Sequence, residues 1–160
     1  MKYLTVIRHA KTEKQKPDQR DFERRLKKSG LSAARDLGEQ LAEKTGTPDA
    51  VIASPAKRAV QTAEALCEAA GIDETSISER PVLYENDMTE IMNMLKELSD
   101  DVQRVFIVGH NPSVSDLVRE LCGPVIESMK TGSAAGVEID IQSWKDIVPG
   151  VGSLGFHMEA

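Results

Sequence analysis

The chain has 160 residues, 40% of them hydrophobic, with 20 Lys and Arg against 26 Asp and Glu and a net charge of −6. That length suits one domain with a real core and is short for two, so residues 1–160 are expected to form a single domain. The negative balance argues against a nucleic-acid binder, which gains affinity by neutralising phosphates with basic side chains, and no apolar run approaches the ~20 residues that cross a bilayer.

Tyr3–Arg8 is β-rich and largely apolar and reads as a buried strand. Its run Tyr3-Leu4-Thr5-Val6-Ile7 is stopped by Arg8-His9, short of the about 7–15 residues of a secretory core, so the expected compartment is the cytoplasm. Lys11–Lys28 is crowded with charge and contains Pro17, and reads mainly as an exposed loop. Leu31, Ala34, Leu37 and Leu41 then recur at helical spacing, and Gly46 and Pro48 close that helix. Ala50–Ala53 is a short buried strand. Ser54-Pro55 opens a second helix, with Val60, Ala63, Leu66, Cys67 and Ala70 on one side and Gly71 as its stop.

A third helix is expected over about 88–98, with Ile91, Met94, Leu95 and Leu98 inward. Val105–Val108 is the clearest strand, followed by Gly109-His110-Asn111-Pro112 and a helix carrying Val114, Leu117, Val118 and Leu121. Gly136–Ile141 alternates apolar and polar residues, as a more exposed or edge strand does. No repeat or low-complexity segment interrupts this order. Cys67 and Cys122 sit on apolar helix faces without a CxxC pattern and read as buried thiols rather than a disulfide or zinc site. Alternating strands and helices imply an α/β sandwich with a mainly parallel sheet, in which the segments after Gly132 are free to run antiparallel.

Three strands hand over directly to chemistry-bearing residues. The first ends in Arg8-His9, the second in Ser54-Pro55 with Arg58 in the next helical turn, and the third in Gly109-His110. Ligands of open α/β sheets bind beyond the carboxyl ends of the strands, so His9, Arg58 and His110 are expected to converge on one crevice. Arg58 also lies at a helix N-terminus, which favours anions. Arginine forks match phosphate oxygens, and neutral imidazole is a competent nucleophile that forms covalent intermediates. No paired carboxylates, no Ser with a base and no GxxxxGK[ST] loop accompany them, which leaves a phosphate site without kinase or motor character. His157, near the C-terminus, reads as a surface or tail residue. Neither His9 nor His110 has an Asp, Glu or Cys at ligand spacing, so no metal site is expected.

At Val6-Ile7-Arg8-His9-Ala10, Ser54-Pro55-Ala56-Lys57-Arg58-Ala59-Val60-Gln61-Thr62 and Val108-Gly109-His110-Asn111-Pro112 the sequence resembles the histidine phosphatase superfamily. These segments correspond to its RHG motif, its SP-x-x-R-x-x-x-T stretch and its GH motif. Ala10 stands where the family usually has glycine. The short chain, Asp21-Phe22-Glu23-Arg24-Arg25-Leu26, the GHNP form and Trp144 followed by Pro149-Gly150-Val151-Gly152 look most like the small SixA-like phosphohistidine phosphatases.

The resemblance implies a phosphoglycerate mutase-like three-layer sandwich, with helices on both faces of the sheet. It implies a metal-independent phosphatase without cofactor, in which His9 is the nucleophile and Arg8, Arg58 and His110 complete the phosphate pocket. Arg24 resembles a further phosphate-contacting arginine of the small members, with Arg25 as its alternative. Glu85 is the candidate general acid, its other reading being a cap or partner near the third helix; Asn111, after the GH motif, cannot serve as an acid. The implied substrate is phosphohistidine in a protein. The alternatives are small phosphate esters and a non-catalytic module that binds phosphate or phosphoprotein.

Overall fold

The computed structural model describes residues 1–159. Six strands form one sheet: β1 (Lys2–Arg8), β2 (Ala50–Ala53), β3 (Ile77–Glu79), β4 (Arg104–Gly109), β5 (Ala134–Ile139) and β6 (Gly152–Met158), in the order β3-β2-β4-β1-β5-β6. The pairings among β1, β2, β3 and β4 are parallel, and those of β5 with β1 and β6 are antiparallel. Five helices accompany it: α1 (Lys28–Thr45), α2 (Lys57–Ala70), α3 (Val82–Glu85), α4 (Met88–Lys96) and α5 (Ser113–Cys122).

Strand periodicity sends alternate side chains to opposite faces. On one face Ile7, Val51, Ala53, Phe106 and Val108 pack against Leu37 and Leu41 of α1 and Ala59, Ala63 and Leu66 of α2. On the other, Leu4, Val6, Val105, Ile107 and Val137 meet Ile91 and Leu95 of α4, Leu117 and Leu121 of α5, and Trp144. This is the expected three-layer arrangement with a mainly parallel sheet. β4 is covered on both faces and so reads as an unbroken apolar run. Helix α1 approaches α2 closely at Gly38, where a Cβ would stand 2.4 Å from the Leu66 carbonyl oxygen.

β5 differs from its expectation. It starts at Ala134 and lies inside the sheet, because β6 pairs along its outer edge. Gly136 permits this, since a Cβ there would stand 2.1 Å from the Phe156 ring. His157, expected in a surface tail, belongs to β6 opposite Ala135 and is half-buried. The third expected helix is α4, which ends at Lys96, two residues early. β3 and α3 are too short to show a period in the sequence. Segment 11–28, expected to be mainly loop, is so up to residue 27, but it carries a 3-10 turn at Asp21–Glu23 and an antiparallel bridge from Thr12 to buried Leu26.

Register sets the site. Arg8 pairs with Gly109, Ala53 pairs with Val108, and the chain continues with the His9 N–H donating to the Gly109 carbonyl (3.1 Å) and the Ser54 N–H to the Val108 carbonyl (2.9 Å). β1, β2 and β4 therefore end level with one another. After β1 the chain leaves to α1 on one face, and after β4 to α5 on the other, which opens a crevice between them.

Replacing Gly38 by Ala in a free helix would gain about 0.5–1 kcal/mol. Here Gly38→Ala is expected to lower stability by about 1–3 kcal/mol, the usual range for overpacking. Urea unfolding reads this as a lower midpoint at unchanged slope; a higher midpoint would show that α1 and α2 part easily.

Candidate active site

His9 and His110 lie side by side, their ring centroids 5.1 Å apart. Each exposes 5 or 6% of its surface, as does Arg58. The crevice thus brings together His9, His110, Arg8 and Arg58, as the strand ends suggest. Arg24 also belongs here: it acts electrostatically on His9 together with Arg58 and Arg8. The Nε atoms of Arg8, Arg24 and Arg58, and Nδ1 of His110, are buried without a hydrogen-bond partner. Unsatisfied buried donors are costly, and a bound oxyanion would satisfy them.

His9 has a defined tautomer. Its Nδ1 lies 2.8 Å from the Ala10 carbonyl oxygen. A carbonyl only accepts, so Nδ1–H donates. Burial first, then the nearby Arg58, Arg8 and Arg24 charges, push the His9 pKa down to about 4, against the opposing effect of the Ala10 hydrogen bond. The ring is neutral at pH 7, and Nε2 keeps its lone pair. For His110, burial, Arg58 and His9 bring the pKa to about 3, with Asp21 acting in the other direction. Its Nε2 lies 2.8 Å from Ser54 Oγ, which also accepts from the Ala56 N–H at 3.2 Å. Ser54 Oγ thus joins the Ala56 N–H and His110 Nε2, and the other ring nitrogen, Nδ1, is buried without a partner.

The motifs brace one another through Thr62. Its Oγ1 accepts from the Ala10 N–H (3.0 Å) and donates to the Arg58 carbonyl (2.7 Å). Ala10, which departs from the usual glycine, is fully buried with Leu26, Ala34 and Ala65, so its methyl is packed without displacing the His9 turn.

Asp21 is the residue that sequence reasoning missed. Arg58 donates to its main-chain carbonyl (Nη1, 2.8 Å) and to its carboxylate (Nη2 to Oδ2, 2.9 Å). The Tyr84 hydroxyl donates to Oδ2 (3.1 Å), and Arg24 donates to Oδ1 (3.3 Å). These partners hold the Asp21 pKa below the ordinary carboxylate range against the opposing effect of burial. The carboxylate is ionised and pins the charged loop to α2. Tyr84 in turn meets His110 edge-on at 5.6 Å. Arg8 donates from Nη1 to the Met129 carbonyl at 2.9 Å. Arg25 is exposed. Glu85 is exposed at the end of α3 and makes no ion pair among the described residues. Among the described residues no three His, Cys, Asp or Glu side chains group in a way that would hold a metal ion.

Two neutral imidazoles among three guanidiniums, at the ends of parallel strands, form a pocket chemically suited to a phosphoryl group on a phosphoglycerate mutase-like fold. The family model for the histidine phosphatase superfamily (branch 1) matches residues 4–106, and the chain belongs to that superfamily. It is a phosphatase, a hydrolase, and its fold is similar to that of SixA proteins. The structure of a protein histidine phosphatase SixA complexed with tungstate is similar with a TM-score of 0.84 and 25% identity, over 98% of this chain and 96% of that one. A provisionally named SixA phosphohistidine phosphatase from Agrobacterium tumefaciens gives 0.83 and 23%, over 99% and 98%. A mycobacterial glucosyl-3-phosphoglycerate phosphatase complexed with VO3 shares the fold at 0.70 and 14%, over the full length of both chains. No curated protein matches the chain by sequence.

Two outcomes follow from this geometry. Protonation would remove the His9 lone pair, so kcat/KM should fall only as pH drops through about 4. With the substrate's own ionisation subtracted, the profile should be flat across the ordinary imidazole range near 6.5; an enzyme inflection near 6.5 would show that burial and the arginines do not depress the His9 pKa. Asp21→Ala should lower kcat/KM for p-nitrophenyl phosphate about ten- to a hundredfold, the loss of a charged hydrogen bond; unchanged kinetics would show that Arg58 needs no brace.

Proposed function

We propose that the chain hydrolyses phosphohistidine in proteins through a covalent phosphohistidine on His9. The observation that carries this reading is the His9 ring itself: Nδ1 tied to the Ala10 carbonyl and the ring held neutral, which leaves Nε2 as an unprotonated nucleophile. Nε2 attacks phosphorus in line with the leaving group, whose bonding electrons depart with it. Arg8, Arg24, Arg58 and the Nδ1–H of His110 hold the phosphoryl oxygens and carry the charge that a metal carries in kinases. Water then attacks phospho-His9, which releases phosphate and restores the neutral ring.

The leaving group decides how much acid catalysis the site must supply. Asp21 is ionised and bound to Arg58, so it has no proton to give. A departing imidazole takes its proton from water, which makes phosphohistidine a fitting substrate for a site without a resident acid. Glu85 is left as the proton donor for poorer leaving groups such as alkyl phosphates. The two walls, the largely exposed loop 11–27 and the four-residue α3, are slight, which suits a phosphorylated side chain presented by another protein. The reading treats residues 1–160 as one catalytic domain.

The test compares a phosphohistidine peptide with p-nitrophenyl phosphate, in wild type and His9→Ala. Wild type should release phosphate from the peptide in the presence of EDTA, and His9→Ala should lose at least a thousandfold in kcat, on the scale seen when catalytic nucleophiles are removed. Near-normal turnover in His9→Ala would refute the covalent route. A strong preference for the ester over the peptide would favour a small-molecule phosphatase. Tungstate at about 100 times its Kd should stabilise the wild type by about 2.7 kcal/mol in thermal melts; Arg58→Ala should lose most of that shift.

A further inference from the structure

A cleft of about 490 Å³ opens directly beside the nucleophile. Arg8 and Ala10, the residues on either side of His9, both line it, together with Lys11, Ser29 and Lys130. No Asp or Glu is among its walls. In a chain with a net charge of −6, a cleft walled by three cations and no anion is out of keeping with the average surface. The cleft on the other flank, near Phe22 and Pro55, sets Arg20, Arg25 and Lys57 against Glu23 and Glu79 and is mixed in sign.

The backbone of both lysines is fixed relative to His9. The Lys27 N–H donates to the Lys11 carbonyl at 2.9 Å. Gly30 packs against the same peptide so closely that a Cβ would stand 2.3 Å from the Lys11 oxygen. Across the cleft, the Gly132 N–H donates to the carbonyls of His9 (2.9 Å) and Arg8 (3.2 Å), which ties the 130–132 turn to the catalytic strand end. Lys11 has no acidic partner among the described residues. Lys130 pairs with Glu159 at 2.9 Å, with both side chains largely exposed, so an incoming carboxylate can exchange with Glu159 at little cost.

We propose that this cleft is a substrate subsite, and that it binds a carboxylate side chain lying beside the phosphorylated residue of a protein substrate. The inference rests on the phosphoprotein reading above and adds to it a preference for acidic flanking sequence. Lys11 and Lys130 are assigned to recognition and have no part in the chemistry. Their contribution is electrostatic, so it falls with added salt.

Two phosphohistidine peptides test this, identical except for Glu or Gln at the positions flanking the phosphorylated residue. At low salt, wild type should turn over the Glu peptide with a kcat/KM about three- to tenfold above that of the Gln peptide, as two exposed ion pairs allow. The gain should appear in KM. In the Lys11→Gln/Lys130→Gln double variant the two peptides should converge within about twofold, with turnover of the Gln peptide and of p-nitrophenyl phosphate unchanged. Glu159→Gln, which releases Lys130, should widen the preference. Equal rates for the two peptides in wild type, or a preference that survives the double variant, would overturn the subsite alone. Failure of wild type to turn over either peptide, while p-nitrophenyl phosphate is cleaved, would overturn the phosphoprotein reading and the subsite with it.

Discussion

Two imidazoles are buried next to three guanidinium groups, and the rest of the site is arranged around keeping those rings uncharged. Burial alone disfavours the cationic form, and the arginines disfavour it further. The consequence for His9 is a free Nε2 lone pair, and for His110 a neutral N–H donor. The polar atoms that hold these rings are rigid: a main-chain carbonyl, which sets the His9 tautomer, and the hydroxyl of Ser54 beside His110, itself bonded to the Ala56 N–H. The chemistry is therefore written into the backbone turns after β1 and β2 as much as into the histidines.

Those turns coincide because of the sheet. Parallel pairing of β1 with β4 and of β2 with β4 brings three chain ends level, and the split of α1 and α5 to opposite faces leaves the space above them open. Thr62 couples the His9 turn to the Arg58 helix with one hydroxyl that both accepts and donates. A shift of one residue in either register would carry His9 or His110 to the wrong side of the sheet. Strand register, usually discussed as a matter of stability, here decides whether the pocket assembles.

The sequence carried the elements that have a clear period. β1, β2, β4, α1, α2, α4 and α5 were legible from apolar spacing and from Gly and Pro stops. His9, Arg58 and His110 were legible because each follows a strand directly. β3 and α3 were not, since three or four residues hold no period. β5 reads as an edge because Gly136 and Glu138 break its apolar run; its inner position depends on β6, whose Gly152, Gly155 and Ser153 give it little strand character. Asp21 stayed hidden for a different reason. It lies 37 residues from Arg58 in a charged loop, and nothing local separates it from its acidic neighbours. Only Thr62 carried a usable signal, at a fixed interval after Arg58.

The Asp21 brace also sets the charge of the empty site. With both histidines neutral, the carboxylate cancels one of the three guanidiniums and leaves two positive charges uncompensated. A phosphoryl dianion matches that balance. The resident aspartate thus trims the positive charge of an arginine-rich crevice to the valence of a phosphoryl dianion.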